Sequence, residues 1–147
     1  MSLKAQIRDD MKAAMRSGDK TRLGTIRMLL ADIQRREVDE RVELDDNGVL
    51  AVLEKMVKQR RESISQYREA GREELAEVEQ AEITVLQEYL PEPLSEAEID
   101  ALVEEVIQAT GASGMQDMGK VMGQLKQKAQ GRADMGALSQ RVKQKFS

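Results

Sequence analysis

The stretch Tyr89–Ile99, YLPEPLSEAEI, decides how the rest of the chain is read. Pro91 and Pro93 remove two backbone donors and push the residues before them out of helical geometry. No helix runs through this point. Just beyond it, Ser95 and Glu98 have the spacing of a capping box, in which two side chains satisfy two orphan backbone N–H groups. Leu94 and Ile99 flank the box as a hydrophobic staple, which fixes the angle at which the chain enters the helix. One set of helices therefore ends at the prolines, and another begins at Ser95.

Before the prolines, apolar residues recur every three or four positions. Leu3, Ile7, Met11, Ala14 and Met15 make a first stripe, stopped by Gly18. Asp19 caps a second helix carrying Leu23, Ile26, Leu30 and Ile33. The polar run Asp39–Gly48 reads as a loop, with Asp45 or Asp46 capping a third helix that continues to about Gly71. A fourth carries Leu75, Val78, Ile83, Leu86, Tyr89 and Leu90. After the prolines, Gly111 ends the fifth helix, and Ser113 with Gln116 predicts a second capping box. Gly131 stops the sixth helix, and Asp134 caps a last one bearing Leu138, Val142 and Phe146. The reading is all-α with no sheet. A four-helix domain spans residues 1–90, a proline-containing joint 91–94, and a three-helix domain 95–147.

With 147 residues the chain fits one domain or two small ones. It has no cysteine and no histidine. That removes disulfides, thiolate metal sites, the commonest general base and the commonest metal ligand. Any catalyst here would rely on carboxylates, lysine, tyrosine or backbone dipoles, so no catalytic residue, metal or cofactor is expected. The start, MSLKAQIRDD, has no apolar core of a signal peptide, and no apolar run approaches a membrane span. A soluble cytoplasmic protein without a membrane partner is the expectation. Charge is unevenly placed. From Glu69 to Glu105 the only base is Arg72, and from Met118 to Ser147 the only acid is Asp134. Such polarity suits a module offering one basic surface to an anion.

The segment Asp117–Gly136, DMGKVMGQLKQKAQGRADMG, concentrates these features. Met118, Val121, Met122, Leu125 and Ala129 form an apolar face. Gly119 and Gly123 sit on the same helix at a cost of roughly 1 kcal/mol each relative to Ala. Lys120, Lys126, Lys128 and Arg132 supply positive charge. One reading is helix packing, with the last helix lying across the glycine strip. The other puts an RNA phosphate backbone against Gly119 and Gly123, with the cations around it. Tyr67, Tyr89 and Phe146 are too few for stacking on a single strand, so a folded RNA is the fitting kind. A secondary basic patch, Lys55, Lys58 and Arg61, reads more simply as a solvated face. Arg27 falls within the second stripe, so its stem is expected to be partly buried. Glu73, Glu74, Glu77, Glu79 and Glu82 read as a solvated acidic face.

DMGKVMGQLKQKAQGRAD, preceded by YLPEPLSEAEI, resembles the YqeY family. DMKAAM at Asp10–Met15, RLGTIR at Arg22–Arg27 and KMVKQRRESI at Lys55–Ile64 support the match along essentially the whole chain. The family is similar to the C-terminal tail of GatB, a subunit of the tRNA-dependent amidotransferase, a carbon–nitrogen ligase that uses glutamine as amide donor. The resemblance implies a four-helix domain, a small three-helix domain and contact with tRNA. It carries no ATP cradle and no amidase residues, so no activity of this chain alone is expected. One departure is Met135, where the family commonly has Gly directly after the Asp of the GRAD element. The expected partner is tRNA or a tRNA-bound protein such as an aminoacyl-tRNA synthetase, with no DNA. The alternative is a helical protein–protein adaptor without RNA binding.

Overall fold

The computed structural model describes residues Met1–Ser147 and contains seven α-helices and no strand. The chain divides into two compact units, Met1–Pro91 and Glu92–Ser147.

The first unit holds α1 (Leu3–Ser17), α2 (Lys20–Glu40), α3 (Asp46–Glu69) and α4 (Glu73–Gln87). Local chemistry sets most of the helix ends. Gly18 takes the left-handed conformation (φ 74°) that stops α1, and the Asp19 carboxylate accepts the Arg22 N–H to start α2. Asp45 does the same for α3 through the Gly48 N–H. The core joins Ile7 of α1 to Ile26, Leu29 and Ile33 of α2. Val49, Leu53 and Met56 of α3 and Ile83 and Leu86 of α4 complete it.

Several expectations for this unit are corrected. The loop after α2 is shorter than Asp39–Gly48, because α2 runs on to Glu40 and ends at Arg41 in left-handed geometry (φ 55°). Its buried row is Ile26, Leu29 and Ile33, with Leu23 and Leu30 at the margins. Arg27, next to Ile26 and so about 100° round the helix, is exposed rather than partly buried. The acidic face of α4 is not simply solvated. Glu79 and Glu82 are half-buried, and Ala76 occupies the core while Val78 faces outward.

Polar contacts fasten the ends of this bundle. Lys4 Nζ donates to Glu37 Oε2 at 2.7 Å, and the same oxygen accepts the Leu44 N–H at 2.8 Å. These two donors, the lysine first, hold the Glu37 carboxyl below the usual carboxylate range. Tyr89 Oη donates to Asp10 Oδ2 at 2.6 Å, beside an Arg22–Glu88 ion pair of 2.6 Å. Burial, then the bond to Asp10, pushes the Tyr89 phenol well above its ordinary value. A raised phenol pKa favours folding fully below the unfolded value of about 10, and that contribution is lost as pH rises through the folded pKa. Tyr89→Phe is therefore expected to cost about 1.5–3 kcal/mol at neutral pH, the worth of a hydrogen bond to a charged group. The gap between wild type and variant should narrow above pH about 10, as urea melts at several pH values will show.

The second unit holds α5 (Glu96–Thr110), α6 (Met118–Ala129) and α7 (Met135–Phe146). The capping box forms in full. Glu98 N–H donates to Ser95 Oγ and Ser95 N–H to Glu98 Oε1, each at 3.1 Å. The Ser95 N–H first, and then the Ser95 hydroxyl, hold the Glu98 carboxyl below its usual range. Leu94 packs with Ile99 on the core of Val103, Val106, Val121, Leu125, Leu138 and Val142, and its N–H donates to Arg132 O at 2.8 Å. Residues 92–94 thus belong to this unit. The capping box expected at Ser113 and Gln116 does not form. The Asp117 carboxylate accepts the Ser113 N–H at 2.9 Å instead, and Met115–Asp117 winds into a 3-10 turn ahead of α6. A carboxylate is the stronger acceptor, which accounts for the change. Gly131 (φ 82°) follows α6, and Asp134 caps α7 through the Gly136 N–H, with Met135 between them half-buried.

Candidate nucleic-acid interface

Helix α6 separates into two faces. Val121, Leu125 and Ala129 are fully buried, with Met118 and Met122 packed at the edge of the same core. Gly119, Lys120, Gly123 and Lys126 are all exposed. A Cβ added at Gly119 or Gly123 would meet nothing within 4 Å. The glycines are therefore not used by a helix crossing, and α7 does not lie over them. Of the two readings of the strip, internal packing is excluded.

The charged residues of this segment divide by position on the helix. Lys120 and Lys126 flank the open strip and make no ion pair. Lys128, nine residues after Gly119, lies about half a turn round the helix. There it pairs with Glu105 of α5 at 3.3 Å. Arg132 is half-buried, and its Nε donates to the Glu92 carbonyl at 2.9 Å. Four of the six positions singled out in the sequence, Gly119, Lys120, Gly123 and Lys126, thus share one open face, while Lys128 and Arg132 are engaged elsewhere.

The basic end of the sequence is largely spent inside the unit. Glu96, Asp100 and Glu104 form a row on α5 at four-residue spacing. Arg141 of α7 pairs with the first two, and Lys145 pairs with Glu104 at 2.6 Å. The Glu104 bond holds the Lys145 ammonium above its ordinary pKa. Residues 92–147 contain eight acids and seven bases, so the unit carries about one net negative charge. The expectation of one broad basic surface gives way to a small cationic patch on α6.

In the first unit, Lys55, Lys58 and Arg61 are all exposed on α3. Their neighbour Arg60 is the residue that sequence reasoning missed. Its side chain is 13% exposed, and Nε donates to Glu82 Oε2 at 2.6 Å, with Glu79 at 3.9 Å. Nη1 reaches the Met56 carbonyl at 3.3 Å. The signal was present: Arg60 follows the buried Met56 by four positions and Val57 by three, on the edge of the core stripe.

No helix is long and apolar enough to cross a membrane. The family described as "Yqey-like protein" matches residues 4–146. Among known proteins, "Altered inheritance of mitochondria protein 41, mitochondrial" of Pyrenophora tritici-repentis is 35% identical over 130 residues, covering 87% of this chain and 71% of that protein. The protein of the same name from Eremothecium gossypii is 37% identical over 115 residues, 74% of this chain and 63% of that one. The Lachancea thermotolerans counterpart is 37% identical over 106 residues, 70% and 57% respectively. The chain thus spans less than two thirds of the length of the latter two relatives. A match that includes both helical units and the segment between them leaves one assignment: the chain belongs to the YqeY family.

Proposed function

We propose that this protein is a non-catalytic module that binds folded tRNA through the open face of α6. The observation carrying this reading is the strip of Gly119 and Gly123, bare to solvent, with unpaired Lys120 and Lys126 beside it. An RNA backbone can approach such a strip more closely than any other part of the helix, and the lysines neutralise phosphates as it does so. Lys128 and Arg132 stand further along, where each would have to share an existing intramolecular bond. The resemblance to the GatB tail supports tRNA as the RNA, alone or held by a translation protein such as an aminoacyl-tRNA synthetase. In that parent enzyme the amidation chemistry belongs to a different domain. The reading places the protein wherever tRNA is present, in the cytoplasm or in mitochondria, the compartment in its relatives' names.

Two phosphate contacts give a modest salt dependence, about a tenfold loss of affinity between about 50 and 200 mM salt. Titration of labelled tRNA at both ionic strengths should show it. Lys120→Glu with Lys126→Glu should abolish binding, whereas Lys143→Glu on α7 should reduce it little. Absence of binding at low salt, or a double variant that binds normally, rejects the proposal.

A further inference from the structure

The first unit carries an unfilled groove between α2 and α4, with a volume of about 460 Å³. Its walls are Gly24 and Met28 on α2 and Val78 and Ala81 on α4. Met28 is 39% and Val78 58% exposed, in a unit whose other apolar residues on α4 are mostly buried. A Cβ at Gly24 would meet nothing within 4 Å, so this wall is open for close approach.

Charge along the α4 wall runs one way. Glu77 is exposed and makes no ion pair. At the far end Glu82 shares the single guanidinium of Arg60 with Glu79, so two carboxylates stand against one cation. Burial, and then the charge of Glu82, raises the Glu79 pKa. The deficit is therefore felt within the protein. Arg60 Nη2 also reaches Met28 Sδ at 3.6 Å, which ties the same ion cluster to the apolar wall. Glu74 is already answered by Arg72 at 2.7 Å, and Lys20 sits on the opposite wall.

We propose that the α2–α4 groove is a docking site for a cationic amphipathic helix of a partner protein. Its apolar residues would lie along Met28, Gly24, Val78 and Ala81, and its Lys or Arg side chains would reach Glu77. The match is of shape and charge together. The bare backbone at Gly24 and the short Ala81 admit a helix, and the unpaired acid selects a basic flank. This site lies in the first unit and is independent of the RNA reading of α6.

The test is selection of peptides of about 16 residues, about 24 Å as a helix, from a randomised phage-displayed library on the full-length protein. Selected sequences are then synthesised and titrated by fluorescence anisotropy. They should be amphipathic and basic, and should lose at least tenfold in affinity to Gly24→Arg and to Val78→Glu. Glu77→Lys should weaken the same peptides and favour versions carrying Glu on the flank. Val78 is exposed and a Cβ at Gly24 meets nothing within 4 Å, so circular dichroism of each variant should match wild type, separating lost binding from lost folding. Enrichment of acidic or non-helical peptides, equal binding to the variants, or no enrichment overturns the proposal. A concentration-dependent dimer in sedimentation that Gly24→Arg disperses would assign the groove to a second copy and overturn it as well.

Discussion

Arg60→Met is expected to destabilise the first unit by about 3 kcal/mol at neutral pH, because breaking a half-buried ion cluster strands its other members. The methionine keeps most of the apolar stem, so packing against α2 and α4 changes little. What disappears is the only cation between Glu79 and Glu82, and the bond to the Met56 carbonyl. Two carboxylates then face each other with side chains only 23% and 17% exposed. The sign of the pH effect follows. Glu79 already has a raised pKa, and without Arg60 it should rise further in the folded state. A raised carboxylate pKa penalises folding above it and ceases to do so as pH falls below it. The deficit of Arg60→Met should therefore be largest near pH 7 and shrink toward pH about 5. Adding Glu79→Gln and Glu82→Gln should recover most of the loss. Urea melts of the variants at both pH values check this, and a loss independent of pH and of the Gln replacements would assign the role of Arg60 to packing alone.

The second large effect is expected at Leu125, which is fully buried at the centre of the smaller unit. Leu→Ala in a core costs about 2–5 kcal/mol, part transfer and part residual cavity. A unit of this size seldom has more than about 3–5 kcal/mol in reserve. Leu125→Ala should thus leave residues 92–147 largely unfolded at room temperature. Amide spectra should collapse for α5 to α7 while those of α1 to α4 stay dispersed. Lys126→Ala, one position along and exposed, is the control and should change stability by less than about 0.5 kcal/mol. Uniform loss of dispersion along the whole chain would show that the two units melt together.

What the sequence made legible was local. Gly18, Asp19, Asp45, Gly111, Gly131 and the Ser95–Glu98 box act within a few residues of themselves, so their effect can be read without knowing what packs on what. Choices between neighbours could not be read that way. Leu29 or Leu30, and Ala76 or Val78, are separated by about 100–200° on a helix, and only the approach of another helix decides which turns inward. Ser113 shows a local signal losing to a stronger acceptor one turn away. The α6 site follows the same division. Its open glycines lie where helical spacing puts them, but Lys128, Arg141 and Lys145 are claimed by acids 23 to 45 residues distant. No periodicity reports such long-range pairing, so the cationic surface is smaller than the raw count of bases implies.

The division at Pro91 also has a consequence in time. Every core contact of α1 to α4 is made by residues that precede Glu92. A ribosome adding roughly 5–20 residues per second needs about 3–11 s to make the residues of the second unit. Helical bundles with such local contacts fold in microseconds to milliseconds. The nascent first unit therefore has ample opportunity to complete its core before α7 is made. Its stability during synthesis has to come from its own helices, with the Arg60 cluster and the Tyr89–Asp10 bond already in place.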